Sequence, residues 1–230
     1  MKKKKNKLIK WLGPLILLAS LIVNFFLAGK IVSPHKTEPK GDLVIEVLDG
    51  DTFVLPGKQR VRLKRVEAPE LENCGGSEAK KRLEELVLGK EVILKNIIVD
   101  QFRRIVALVY VDHLLINEVM LKEGQLMYLG GVTEEEKNLR QAAEYARERK
   151  LGVYSEKCSP TKPPNEKCLI KGNVGQDSGG KIYHFPGCSA YNKVEVQRSW
   201  GDQWFCSEEE AQKAGFTKSK NCYGKKYSPL

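Results

Sequence analysis

Apolar positions between residues 41 and 155 change period several times, and each change marks a new element. Leu43 to Leu48 reads as a strand, Asp49-Gly50 as a turn, and Thr52 to Leu55 as a second short strand. Pro56-Gly57 turns the chain again. Gln59 to Val66 alternates: Val61, Leu63 and, beyond Lys64, Val66 suggest a buried face, with Arg62 and Lys64 on the other. Ala68-Pro69 breaks this strand into a loop. Ser77 is the candidate N-cap of a helix whose apolar stripe is Ala79, Leu83, Leu86 and Val87, ended by Gly89. Strands follow at Glu91 to Val99 and Arg104 to Val111, the latter turned by Asp112-His113 into Leu114 to Ile116. Asn117 caps a short helix that Gly124 closes. Thr133 and Glu136 form a capping box for a helix lined by Leu139, Ala142, Ala143, Ala146 and Leu151. The order β-β-β-α-β-β-α-α predicts an α+β fold: a small Greek-key barrel of the OB type with helices packed on it.

The N-terminal pattern is different in kind. Lys2 to Lys5, Lys7 and Lys10 precede an uncharged run of 19 residues, Trp11 to Gly29, close to the ~20 needed to span the hydrocarbon core. The basic cluster is expected to stay cytoplasmic and the remainder to lie outside. A cleaved signal peptide is the alternative, but Phe26 makes a small-x-small site ending at Ala28 a poor fit. Either reading exports the chain: to the cell membrane as a single-pass protein with its C-terminal domains outside, or into the medium. The expected organisation is therefore 1–32 basic arm and anchor, 33–40 linker, 41–158 main domain, 159–166 Pro-rich linker and 167–230 a small cysteine-containing module.

The net charge of +10 suggests a polyanionic partner, but its distribution weakens that argument. Residues 1–40 carry nine Lys and one Glu, whereas residues 41–159 carry 19 basic and 21 acidic residues. Any nucleic-acid binding must come from local placement of Arg and Lys. Lys64, Arg65 and Lys80 to Arg82 read as solvated faces.

The candidate chemistry lies in Leu48 to Glu70. Asp51, Glu67 and Glu70 supply hard oxygen ligands and a base, and Arg62 a charge that meets a phosphate. Asp49-Thr52 (DGDT), Arg62-Glu70 (RLxxVxxPE), Asp100-Arg104 (D-x-aromatic-x-R), Asn117-Glu118 and Ala146-Ser155 (ARERKLGVYS) together resemble the thermonuclease, or staphylococcal nuclease-like, family over about half of the chain. The resemblance implies a five-stranded OB barrel with three helices. It implies a calcium-dependent endonuclease that cleaves DNA and RNA and leaves 3′-phosphate ends. Asp51, Glu67 and the main-chain carbonyl of Ala68 would hold one Ca2+, Glu70 would activate or position the attacking water, and Arg62 and Arg104 would clamp the phosphate. Gln101, Phe102, Arg103 and Tyr128 would meet the substrate. Glu67 stands where the family commonly has Asp, Ala68 where Thr is usual, and D-Q-F-R-R replaces D-K-Y-G-R. A catalytically impaired module that binds nucleic acid or another partner is the alternative. No protein partner is expected.

Six cysteines in an exported chain favour disulfides. Cys74 with Cys158 is expected to pin the end of the main domain near the Glu70 loop. In the tail, Cys168 with Cys206 and Cys188 with Cys222 is the preferred pairing among three. A zinc site using His184, Cys188, Cys206 and Cys222 is the alternative, though no C-x2-C pair supports it.

Overall fold

The structure, a computed structural model, describes residues 41–132, 135–175 and 179–228. The main body is built from β1 (Asp42–Leu43), β2 (Glu46–Val47), β3 (Thr52–Leu55), β4 (Gln59–Leu63), β5 (Val66–Glu67), α1 (Gly76–Val87), β6 (Glu91–Val99), β7 (Ile105–Val111), β8 (Leu114–Leu115), α2 (Ile116–Lys122), β9 (Met127–Tyr128) and α3 (Glu136–Glu148). The expected first strand is broken. β1 pairs with β6 and β2 with β3, so the sheet runs β1-β6-β7-β4-β3-β2, with β8 on β7. In a flat sheet those two edges would lie about 24 Å apart, yet only Val44 and Ile45 separate them. Val44 donates its N–H to Lys90 O (3.0 Å) at one edge and Ile45 to Val54 O (3.0 Å) at the other. The sheet therefore curls round, which is the α+β architecture that the element order predicts.

The curl wraps a core of Phe53, Val61, Leu63 and Leu108, covered by Leu83 of α1, Ile116, Met120 and Leu121 of α2 and Leu139 of α3, all essentially without exposure. β4 pairs in parallel with β7, Val61 opposite Ile105 and Arg62 opposite Val106. This is the pairing that brings the Arg62 strand alongside the one that Arg104 immediately precedes.

Four local expectations are corrected. Ser77 is not the N-cap of α1: Gly75, at φ +92°, is, and Ser77 lies within the helix. Asn117 does not cap α2 but sits inside its first turn, fully buried. Lys64 is not on a solvated face: it is buried, and its Nζ donates to Asn96 O (2.8 Å) and Oδ1 (2.5 Å) at the irregular step of β6. The strand through Val66 ends at Leu63, because Arg65 takes φ +66° and re-aims the chain so that β5 can pair with β9. Glu135 precedes α3 without a side-chain cap, and Thr133 of the expected capping box lies outside the described residues, as does the apolar run 11–29. No described helix is long and apolar enough to cross a membrane.

The tail has its own core of Ile170, Tyr183, Phe185, Phe205 and Phe216. Around it, β10 (Ile170–Val174), β11 (Lys181–His184), β12 (Gln203–Phe205) and β13 (Thr217–Lys218) form a sheet in the order β12-β10-β11-β13. Helix α4 (Glu208–Lys213) is capped by the Ser207 side chain, which accepts the Glu210 N–H. Cys168 pairs with Cys206 and Cys188 with Cys222, so no thiolate is left among these four for the zinc alternative. His184 is buried, and burial, with Lys171 opposite it, holds its imidazole below the ordinary value. The unfolded chain then binds the proton first, so this contribution is complete above about pH 6.5 and is lost as pH falls from there. His184→Gln is expected to flatten the loss of thermal stability between about pH 7 and pH 5. An unchanged pH slope would refute the assignment.

Cys74 and Cys158 form the third bridge, 84 residues apart in sequence. It ties the start of α1 to the segment after α3. Replacing both by Ser is expected to lower the free energy of unfolding by about 2–4 kcal/mol, read from urea denaturation, and an unmoved midpoint would count against it.

Candidate active site

The site starts from a close approach of backbones. Gly50 lies where an added Cβ would stand 2.6 Å from Ala79 Cβ and 2.8 Å from Ala68 Cβ. Only glycine lets the turn before β3 seat against α1 and the loop after β5. Asp49 Oδ1 accepts the Asp51 N–H (3.0 Å), which shapes the turn and sends the Asp51 side chain inward.

Asp51 is almost fully buried, at 1% exposure. Its Oδ1 accepts from Thr52 Oγ1 (2.8 Å) and from Arg62 Nη1 (2.9 Å), and its Oδ2 from the Ala68 N–H (2.9 Å). Burial pushes its carboxyl up to about 7; Arg62 pulls it down, Asp49 adds a like charge, and the Ala68 and Thr52 hydrogen bonds pull it down further. Burial also works against the Arg62 guanidinium, but Asp51 and Glu67 outweigh it and hold that group above its ordinary value. Arg62 Nη2 meets Glu67 Oε2 at 2.7 Å. One planar fork thus spans two carboxylates, one from the turn before β3 and one from β5.

Arg104 enters from the adjacent strand pair. It stands two residues before Val106, the partner of Arg62, and so on the same face of the sheet. Asp100 orients it: Oδ1 accepts the Phe102 and Arg104 N–H groups (both 2.9 Å), and Oδ2 accepts Arg104 Nε (2.7 Å). The bond to Asp100 uses Nε, so the two terminal nitrogens are not spent on it. These hydrogen bonds hold the Asp100 carboxyl below its ordinary value against the opposing effect of desolvation. The turn puts Arg103 at φ +60°, a conformation that costs a non-glycine residue about 1–2 kcal/mol.

The remaining candidates sit around this pair. Glu70 is exposed on the loop beyond Pro69, and its main-chain oxygen accepts the Asn73 N–H (2.8 Å). Gln101, Phe102 and Arg103 are exposed at the tip of the β6–β7 hairpin, and the Arg104 guanidinium lies 5.3 Å from the Phe102 ring. Tyr128 pairs with Val66, one residue from Glu67, and its hydroxyl donates to Glu136, which with burial pushes it up to about 12. Asp51, Glu67, Ala68 and Arg62 are thus linked by direct hydrogen bonds and ion pairs, whereas Glu70 lies on the loop two residues beyond Ala68 and Arg104 is bonded to Asp100. The supporting bonds of Thr52 and Asp100 do not follow from the motifs alone; for Asp100 the Asx-type spacing to Phe102 is the available signal.

For a metal ion the chain offers two oxygen-bearing side chains, Asp51 and Glu67, converging on one cationic point. Among the described residues no group of three or more His, Cys, Asp and Glu side chains forms a cage. Two carboxylates, one buried beside a further acidic group, fit a hard divalent ion that completes its shell with backbone oxygen and water.

A model of the family described as staphylococcal nuclease homologue matches residues 60–156. A Haemophilus influenzae protein named an uncharacterized endonuclease is 30% identical over 166 residues, 70% of this chain and 90% of its own. The micrococcal nuclease of Shigella flexneri is 33% identical over 128 residues, 49% of this chain and 72% of that one. A probable staphylococcal-like nuclease of rice is 40% identical over 74 residues, 32% of this chain but only 20% of the rice protein.

Proposed function

This chain belongs to the staphylococcal nuclease homologue family and is a nuclease, and we propose that it is a calcium-dependent endonuclease working outside the cytoplasm on DNA and RNA, leaving 3′-phosphate ends. The observation that carries this reading is the Arg62 fork across Asp51 and Glu67, with Glu70 three residues further along. Asp51 and Glu67, with the main-chain carbonyl of Ala68, are the residues that would hold calcium. When bound, the ion supplies positive charge against the phosphate and the attacking water.

The residues then divide the work. Arg62 on β4 and Arg104 just before β7 grip the non-bridging phosphate oxygens and stabilise the charge that gathers there in the transition state. Asp100 keeps Arg104 aimed. Glu70, solvent-accessible and free of side-chain ion pairs among the described residues, takes the proton from the in-line water. Attack on phosphorus expels the 5′ oxygen and leaves the phosphate on the 3′ end. Phe102, at 69% exposure, offers a face on which a base or sugar stacks.

Three disulfides support an oxidising location, and the basic arm and apolar run 11–29 support a membrane tether. The second reading is a binding module. What favours it is that Arg62 is held by both carboxylates and Arg104 by Asp100. End-group analysis of cleaved oligonucleotides decides the chemistry. Products that accept a 5′ label without prior phosphatase treatment and carry a 3′-phosphate fit the proposal, with Glu70→Gln slowing their formation about 100-fold or more. Products with 5′-phosphates would refute it.

A further inference from the structure

The C-terminal module reaches the loop that carries Glu70. Arg198 donates its N–H to Cys158 O (2.7 Å) and accepts from the Cys74 N–H (3.4 Å), while Asn73 Nδ2 donates to Ser199 O (3.4 Å). Asn73 is also the residue whose N–H is bonded to the Glu70 carbonyl. Beside this junction lies a groove of about 600 Å³ whose lining includes Glu72 and Asn73 from the Glu70 loop, Lys157 and Lys162 from the segment after α3, and Arg198 and Trp204 from the C-terminal module. Its volume suits a small ligand or one unit of a polymer.

Three observations bear on what it holds. The Trp204 indole N–H and the Ser199 hydroxyl, one residue from the lining Arg198, are buried and have no hydrogen-bond partner, a state that costs free energy unless a ligand or water meets them. Lys162 is exposed and has no ion-pair partner among the described residues, and Arg198 is exposed with one bond to Lys157 O (3.2 Å). Of the three acidic groups in the lining, Asp202 is already taken by Asn173 Nδ2 and the Val174 and Gln197 N–H groups, and Glu156 by Thr161 and Lys150, while Glu72 is exposed beside the cations. The groove therefore presents the edge of an indole whose buried N–H lacks a partner, with Lys162 and Arg198 at its rim and Glu72 on the side of the Glu70 loop. That is the chemistry that meets one base, one sugar and a flanking phosphate.

We propose that this groove is an accessory subsite for the single-stranded substrate, built jointly by the C-terminal module and the Glu70 loop, and holding a nucleotide away from the scissile bond. The proposal rests on the nuclease reading of the main site. Trp204 stacks on the base, and Lys162 and Arg198 meet the backbone. A strand long enough to reach the groove then binds better than one that only fills the catalytic site.

The test compares single-stranded oligonucleotides of about 4 and about 16 nucleotides, a span that brackets common binding-site sizes. KM and kcat are measured with the full-length chain, and binding by fluorescence anisotropy in chelator. The wild type is expected to favour the longer strand in KM. Trp204→Ala is expected to shrink that advantage by about 5- to 50-fold, and Lys162→Glu, on an exposed side chain, by a smaller factor that falls with added salt. Quenching of tryptophan fluorescence by the long strand alone would agree. If both variants keep the full length advantage, the subsite is refuted while cleavage by the wild type leaves the nuclease reading intact. If the wild type neither binds nor cleaves either strand, both readings fall together.

Discussion

Arg62→Ala is expected to lower kcat on single-stranded DNA by about 100- to 1,000-fold, the loss typical when one preorganised donor to a transition-state charge is removed. The argument rests on position and shape. Arg62 contacts both Asp51 and Glu67 at 2.9 and 2.7 Å, so it is the cation at the point where the two candidate metal ligands converge. A guanidinium is planar, always charged and presents two parallel donors. Arg62→Lys keeps the charge and loses the fork, so it is expected to recover only a small part of the rate. Arg62→Ala also leaves the buried Asp51 carboxylate without its counter-charge, so thermal unfolding is measured beside initial rates to separate misfolding from lost catalysis. A fall in kcat of less than about tenfold in a folded variant would remove Arg62 from the chemistry.

The largest effect on stability is expected at a residue with no part in the reaction. Asn117 is fully buried. Its Oδ1 accepts the Val109 N–H (2.9 Å), and its Nδ2 donates to Lys64 O (3.0 Å) and to Ala107 O (3.4 Å). It thereby ties α2 to β7 and to the end of β4, the strand that carries Arg62. Asn117→Ala leaves a backbone donor and at least one acceptor unpaired in the core. Each such group costs about 1–3 kcal/mol, and the lost side chain leaves a small void. The expected destabilisation is about 3–5 kcal/mol by urea denaturation. Asn117→Asp is expected to be nearly as harmful, because it cannot donate to Lys64 O. A loss below about 1 kcal/mol would show that the network carries little.

The contrast between these residues shows what the chain discloses as a sequence. Asp51, Arg62, Glu67 and Glu70 lie within one short stretch, and turn and strand signals suffice to fold that stretch back on itself. The even count of cysteines points to bridges but not to their partners: in the tail the pairing is a preference among three connectivities, and the fold brings Cys168 to Cys206 and Cys188 to Cys222. Asn117 reads as a cap because Asn before a helical pattern is most often one; that its amide crosses to three backbone groups depends on how α2 packs. Lys64 follows an alternating pattern on a nominally polar face, yet the irregular step at Asn96 supplies two oxygens that draw its ammonium inward. The break at Val44–Ile45 serves the closure of the sheet, a long-range requirement that no local period records. Pairing of β5 with β9 is similar: each strand is two residues long and means nothing until the other is in place.

The central claim is that this fold holds a working, calcium-dependent phosphodiesterase site. The most direct measurement follows a labelled single-stranded oligonucleotide incubated with the purified full-length chain, with and without calcium. Cleavage that needs calcium, stops on addition of a chelator and returns when calcium is restored is the expected result. Binding of the strand with no cleavage in calcium, manganese or magnesium would contradict it.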